Sequence, residues 1–376
     1  MLLLMQNFSK KALGLIICLL LVGILIGAWI VFGQKRPSEV AVSPIEQTTD
    51  PAPTPKPTVT PATSGKPTQF VVMAFDGSRS LVMWQNTLDF AEKMKQQNTP
   101  VQFTYFLSGV YFLNYRNKNL YTPPQGKPGD SSIGFADSNL DVEKRVAFVN
   151  RAIKDGHEIG SHANGHYDGS KWGQKDWQQE FDAFDNLIFN IVQNNKVSPD
   201  DANKYTLNLK PNELVGFRAP DLGKNSAMLD ALKNSGFTYD TSYAAKSDAW
   251  PTKTKNGLWE FPLATIKYAS TTGNILSMDY NFYFKLSKAK DAAKQGDQLW
   301  TKFYNDTYTS YINYFDSNYN GNRAPVFIGS HFSEWNDGVY WQAMKDFAQT
   351  VCTKPEVRCV TFSELKNYLE TNPIKQ

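Results

Sequence analysis

Three of the four histidines of this 376-residue chain fall within ten residues, as His157, His162 and His166. The H-x-x-x-H spacing of the last two places both imidazoles on one side of a helical turn, where they can grip one metal ion or form a hydrogen-bonded surface pair. His157 reads as structural. The fourth histidine, His331, follows an apolar run from Val326 to Ile328. An isolated imidazole at such a place suits an acid or base working near neutral pH. Asp76 leaves the first apolar run in Phe75-Asp76-Gly77-Ser78. It can act as a base or a metal ligand, or simply turn the chain. Arg218, in Phe217-Arg218-Ala219-Pro220-Asp221, can hold a neighbouring carboxylate ionised or form a surface ion pair. Asp240, in Tyr239-Asp240-Thr241-Ser242, can orient a catalytic partner or cap a helix. Trp250 can stack on a sugar face or fill a core.

All but one of these residues sit at or just past the ends of short apolar runs; Trp250 lies farther from one. The runs are Phe70–Phe75, Val101–Leu107, His157–Gly160, Leu214–Phe217, Phe237–Tyr239, Leu258–Pro262, Val326–Ile328 and Val360–Phe362. Between them lie amphipathic stretches that predict helices at Leu88–Gln96, Arg145–Lys154, Trp177–Val192, Ser226–Asn234, Asp337–Val351 and Ser363–Glu370. Strands alternating with helices at this spacing argue for parallel β/α units, and seven or eight of them suggest a barrel. In such a barrel the active site lies at the carboxyl ends of the strands, which is where the suspicious residues are. Two stretches break the rhythm, Tyr111–Leu140 and Tyr268–Asn322. Rich in Asn, Asp, Tyr, Pro and Gly, they read as insertions lining a groove.

The first 68 residues are of another kind. An uncharged run from Ala12 to Gly33, flanked by Lys10, Lys11, Lys35 and Arg36, is long enough to cross a bilayer and reads as an uncleaved signal anchor, with cleavage the alternative. Residues 1–36 then form a short cytoplasmic tail and transmembrane helix, with the large domain facing outside as a single-pass membrane protein. Residues 37–68, Pro- and Thr-rich and without Leu, Phe, Tyr or Trp, read as a linker that cannot bury apolar surface. Residues 69–370 form the exported domain, and 371–376 a tail. A net charge of +3, from 39 Lys+Arg against 36 Asp+Glu, argues against a nucleic-acid partner, and nothing implies a protein partner. Cys352 and Cys359 bracket a Pro-containing turn, and a disulfide between them is permitted outside the cytosol.

Taken together, the stretches AFDGS, SHANGH, FRAP, YDTS and IGSH resemble the motifs of the NodB-type polysaccharide deacetylases, carbohydrate esterase family 4. The flanking GFRAPDLGKN, GLWEFPL and NRAPVFIGSHFSEW bring it closest to the chitin-deacetylase-like branch. The resemblance implies a distorted (β/α) barrel of seven or eight strands. It implies a metal-dependent hydrolase that removes N-acetyl groups from N-acetylhexosamine polymers such as peptidoglycan or chitin-like chains. It suggests His162 and His166 as ligands of a divalent metal, most simply zinc, and Asp76 as the base. Arg218 would tether that base, His331 would be the acid, and Asp240 an orienting carboxylate. Trp250 and Pro220 would touch the substrate. One departure matters: Gly77 stands where the family has its third metal ligand, and Ala163 replaces a hydroxyl residue in the histidine motif. Asp76 could move into the ligand role, or Asp168 or Asp248 could fill the gap. Alternatively the domain has lost the metal and is a catalytically impaired, membrane-tethered glycan binder.

Overall fold

A computed structural model describes residues 67–372. The expected membrane anchor, all but the last two residues of the linker and the end of the tail lie outside the described residues. Among the described residues no helix is long and apolar enough to cross a membrane.

The first strand, β1 (Gln69–Asp76), is buried along its whole length. A run of Phe, Val, Met and Ala without alternation is what a parallel strand covered on both faces requires. Gly77, at φ +82, turns the chain off its end, and Ser80 caps helix α1 (Leu81–Gln96) by accepting from the Met83 N–H. There follow β2 (Phe103–Leu107), α2 (Asn139–Lys154), β3 (Glu158–Ser161), α3 (Gln174–Phe189), the short α4 (Ile191–Asn194), β4 (Gly216–Phe217), α5 (Ser226–Asn234) and β5 (Tyr239–Asp240). Next come β6 (Ala244–Lys246), β7 (Thr252–Lys253), β8 (Trp259–Glu260), β9 (Leu263–Lys267) and β10 (Asn274–Leu276). The chain ends with α6 (Asp279–Ser287), α7 (Gln298–Asn320), β11 (Val326–His331), α8 (Trp335–Val351), β12 (Val357–Val360) and α9 (Phe362–Thr371).

Seven parallel strands run side by side in the order β11-β1-β2-β3-β4-β5-β8. Antiparallel β7 follows β8, and β12 lies parallel to the first half of β1, making a sheet of nine strands. A separate sheet of three, β10-β9-β6, touches the other edge, where Met278 bridges to Gly329 of β11. The seven parallel strands form a curled half-barrel, which fits the expected distorted (β/α) barrel, with the small sheet meeting it at β11. Inside it, Phe70, Val72, Ala74, Phe106, Tyr239, Phe261, Phe327 and Phe362 form one buried cluster.

The stretch Tyr111–Leu140 is irregular up to the start of α2, as expected. The stretch Tyr268–Asn322, read as an insertion, contains β10, α6 and the 23-residue α7. The Cys352–Cys359 disulfide ties the end of α8 to β12, with Cα atoms 5.8 Å apart. Closing so small a loop contributes about 2–3 kcal/mol.

Candidate active site

The ladder between β1 and β11 sets Asp76 and His331 as register partners at the carboxyl ends of two adjacent strands. β3 brings His162 to the same end, and β4 brings Arg218. Arg218 is fully buried, and its Nη1 donates to Asp76 Oδ1 at 2.8 Å. Its other donors reach the Thr241 carbonyl and hydroxyl, each at 3.3 Å, and Phe106 lies against its guanidinium. The arginine therefore pairs with Asp76, 142 residues away, and not with the neighbouring Asp221. Burial alone would raise the Asp76 pKa. The charge and hydrogen bond of Arg218, with the charge of His331 added, outweigh that and hold it below the ordinary aspartate value. Asp76 is a buried carboxylate that stays ionised.

His331 carries the reverse arrangement. Its Nδ1 lies 2.6 Å from Asp279 Oδ1, and its backbone N–H donates to Asp279 Oδ2 at 2.8 Å. The Ser330 hydroxyl donates to the same oxygen. Burial disfavours the imidazolium, but the Asp279 carboxylate more than offsets it, and the His331 pKa rises above the ordinary value. A quarter of its side chain remains exposed. An ionised carboxylate and a readily protonated imidazole thus stand at the ends of neighbouring strands, the pairing needed to take up one proton and deliver another.

Asp279 is the residue that sequence reasoning missed. Asp240 does not orient His331. It is fully buried, bonded by the Ser242 hydroxyl and 3.9 Å from Lys224 Nζ. Burial pushes its carboxyl up to about 6. Ser242 in turn accepts from the Ala219 N–H at 2.7 Å, so Asp240 steadies the segment that carries Arg218. Pro220 is buried in the turn after Arg218. Trp250 packs, partly buried, against the core cluster. His157 is structural, as expected: buried, stacked on Phe103 and accepting its N–H.

His162 is buried with its Nδ1 2.8 Å from the Arg218 carbonyl oxygen. That contact places the proton on Nδ1 and leaves Nε2 as an acceptor, and Nε2 has no hydrogen-bond partner. Burial takes its pKa down to about 3, so the ring is neutral. A buried imidazole fixed through one nitrogen by a backbone carbonyl, with the other nitrogen bare, has the form of a metal ligand. The His166 ring lies 5.3 Å from it, centroid to centroid, and Asp221 comes within 4.0 Å of His166 Nδ1. The loop between the two histidines is braced from outside. Glu180 accepts from the Asn164 N–H, Tyr121 bonds Glu180 and accepts from the Gly165 N–H, and Ser132 donates to the His166 carbonyl.

The donor set fits a cation at two imidazoles and supplies no third protein ligand. Among the described residues no group of three His, Cys, Asp or Glu is placed to hold an ion. Asp168 instead caps a turn by accepting from the Ser170 N–H, and Asp248 is exposed. A Cβ added at Gly77 would meet nothing within 4 Å. Gly77→Asp is therefore expected to tighten binding of a divalent cation at least tenfold, despite the cost of an aspartate at positive φ, about 1 kcal/mol. Competition against a chelating dye measures it. Unchanged affinity would mean another group already completes the site.

No protein-family model matches the chain. No match is found among curated proteins. Solved structures do match. A protein assigned as a polysaccharide deacetylase from Mycobacterium smegmatis aligns with 84% of this chain and 96% of its own, at 13% identity and a TM-score of 0.52. The chitin deacetylase of Colletotrichum lindemuthianum aligns with 79% of this chain and 87% of its own, at 14% identity and a TM-score of 0.43. The peptidoglycan deacetylase PdaC of Bacillus subtilis aligns with 81% and 93%, at 11% identity and a TM-score of 0.41. The first of these, which the chain spans over nearly its whole length, shows that the two share a fold.

Proposed function

We propose that this protein is a polysaccharide N-deacetylase, removing acetyl groups from N-acetylhexosamine residues of a cell-wall or extracellular glycan. One observation carries the reading: Asp76 paired to Arg218, His331 paired to Asp279 and the bare Nε2 of His162 converge at one end of the sheet. Hydrolysis of an acetamido group needs a base to take a proton from the attacking water and an acid to give one to the leaving sugar amine. Asp76, held ionised by Arg218, is the base. His331, protonated against Asp279, is the acid. His162 and His166 would hold a divalent cation, most simply zinc, which would supply Lewis-acid polarisation of the acetamido carbonyl. Peptidoglycan and chitin are the substrates named for two of the structurally similar proteins, and both polymers carry the required group. The uncharged run Ala12–Gly33 would hold the domain at the outer face of a membrane, beside such polymers.

The test is acetate release by the full-length protein from N-acetylchito-oligosaccharides and from peptidoglycan, with bound metal measured in parallel. Acetate release that stops on chelation and returns with zinc supports the reading. Glycan binding with neither metal nor acetate release on either polymer would establish instead the impaired, binding-only domain that Gly77 makes the second reading.

A further inference from the structure

Glu180, in the middle of α3, is a fully buried carboxyl that the proposed chemistry does not use. A polar group so deep is retained only where donors meet it. The Tyr121 hydroxyl donates to its two oxygens, at 3.0 and 3.1 Å, and the Asn164 N–H donates to Oε1 at 2.9 Å. Its partners therefore belong to the loop between the two histidines and to the tyrosine that contacts that loop.

The loop needs such help. His162 is held by its own contacts, through Nδ1 to the Arg218 carbonyl and through its N–H to the Leu107 carbonyl at 2.7 Å. His166 is not. Its side chain is 26% exposed, and among the described residues no hydrogen bond reaches its ring, Asp221 stopping at 4.0 Å. The backbone therefore sets where that ring stands. Ala163 and His166 both lie in the left-handed region, at φ 54 and 58. Backbone of that kind persists only where the surroundings over-determine it. Ala163 and Gly165 carry no polar side chain, and the Asn164 amide turns away to donate to the Glu180 carbonyl. The holding comes from outside: Gly109 N–H bonds the Ala163 carbonyl at 2.9 Å, and the Tyr121 hydroxyl accepts from Gly165 N–H at 3.2 Å. The Ser132 N–H and hydroxyl both donate to the Gly165 carbonyl. A Cβ on Gly165 would come within 2.9 Å of the Tyr121 oxygen, so this close approach needs the glycine.

We infer that Glu180 and Tyr121 are positioning residues for the cation site: together they fix the Asn164–Gly165 backbone so that His166 stands beside His162 before any ion arrives. The inference rests on the two-imidazole site of the deacetylase reading and adds what keeps that site assembled. It also gives the stretch Tyr111–Leu140 a part in the site, since Tyr121 and Ser132 both come from it.

The experiment measures zinc affinity of the full-length protein, stripped of metal, by competition with a chelating dye, with thermal unfolding of the same apoprotein alongside. Tyr121→Phe keeps the ring but takes the acceptor from the Gly165 N–H, and should weaken zinc binding at least tenfold, as loss of outer partners of a metal ligand does. Glu180→Gln still accepts from the Asn164 N–H and can donate to the Tyr121 oxygen, and should retain most of the affinity. Glu180→Ala should lose more than Tyr121→Phe; if it does not fold, Tyr121→Phe carries the test. Tyr105→Phe removes another buried hydroxyl, bonded to Thr87 in the core, and should lower the unfolding temperature without changing zinc affinity. Parent-like affinity in Tyr121→Phe, or an equal loss in Tyr105→Phe, would overturn the positioning role and leave the deacetylase reading standing. A parent that binds no zinc would overturn the two-imidazole cation site of that reading, and the positioning role with it.

Discussion

Asp76→Asn is expected to lower kcat/KM for acetate release by about 10³-fold, within the range that general-base catalysis contributes. Asparagine keeps an oxygen that can accept from Arg218 but cannot take up a proton. It also removes the charge that Arg218 is buried against. Stripping one partner from a buried ion pair costs about 3 kcal/mol, because the other is left uncompensated. The two effects separate experimentally. Denaturant unfolding reports the loss of stability, and rates taken well below the transition report the loss of the base. Folded Asp76→Asn protein within tenfold of the parent rate would show that some other group takes the proton.

The second large effect is on pH dependence. The reaction proposed above needs Asp76 ionised and His331 protonated. With the Asp76 pKa below its ordinary 3.8 and the His331 pKa above its ordinary 6.5, the rate should be flat through weakly acidic pH and fall as pH rises through the elevated His331 value. Asp279→Asn removes the main influence raising that pKa and leaves the burial that lowers it. The falling limb should therefore move to lower pH, and kcat at pH 7 should drop by roughly 10²-fold. The same sign holds for stability. The stabilising contribution of the His331–Asp279 pair is fully present below the unfolded pKa and is lost as pH rises through the folded one. His331→Gln should abolish the falling limb altogether. A parent profile that rises steadily through pH 8, or an Asp279→Asn profile that superimposes on it, would remove His331 from the role of acid.

How much of this was legible in the linear chain differs residue by residue. Asp76, Arg218 and His331 announce themselves because each ends an apolar strand, and strand ends are where this architecture collects its chemistry. His162 was legible from its spacing to His166. The partners were not. Arg218 finds its carboxylate 142 residues upstream, and only the order of strands in the sheet shows that. Asp279 lies in a stretch whose Tyr, Asn and Asp content suggests loops. The same stretch holds the long helix α7, whose buried face is built from Phe303, Asp306, Thr307, Ser310, Tyr311, Tyr314, Phe315 and Asn318. The spacing is helical, but with no aliphatic residue on that face the usual hydrophobic period is masked. A buried aspartate directly after Ile275-Leu276-Ser277-Met278 was the available signal. Asp240 was legible as a buried acid at a strand end, but its link through Ser242 to the Ala219 N–H beside Arg218 was not. The exact bounds of the later strands were beyond reach for a related reason: β4, β5, β7 and β8 are only two residues long and leave little periodic trace.

Because Asp76 and His331 occupy the same rung of the β1–β11 ladder, the gap between the two proton-handling groups is measured out by main-chain pairing and not by loop conformation. Loops above the sheet can lengthen, shorten or change their chemistry to suit a different glycan without disturbing that gap. A single-residue slip of either strand would turn one of the two side chains to the opposite face. The proposed proton transfer and any choice of polymer would, in this sense, be written on separate parts of the molecule.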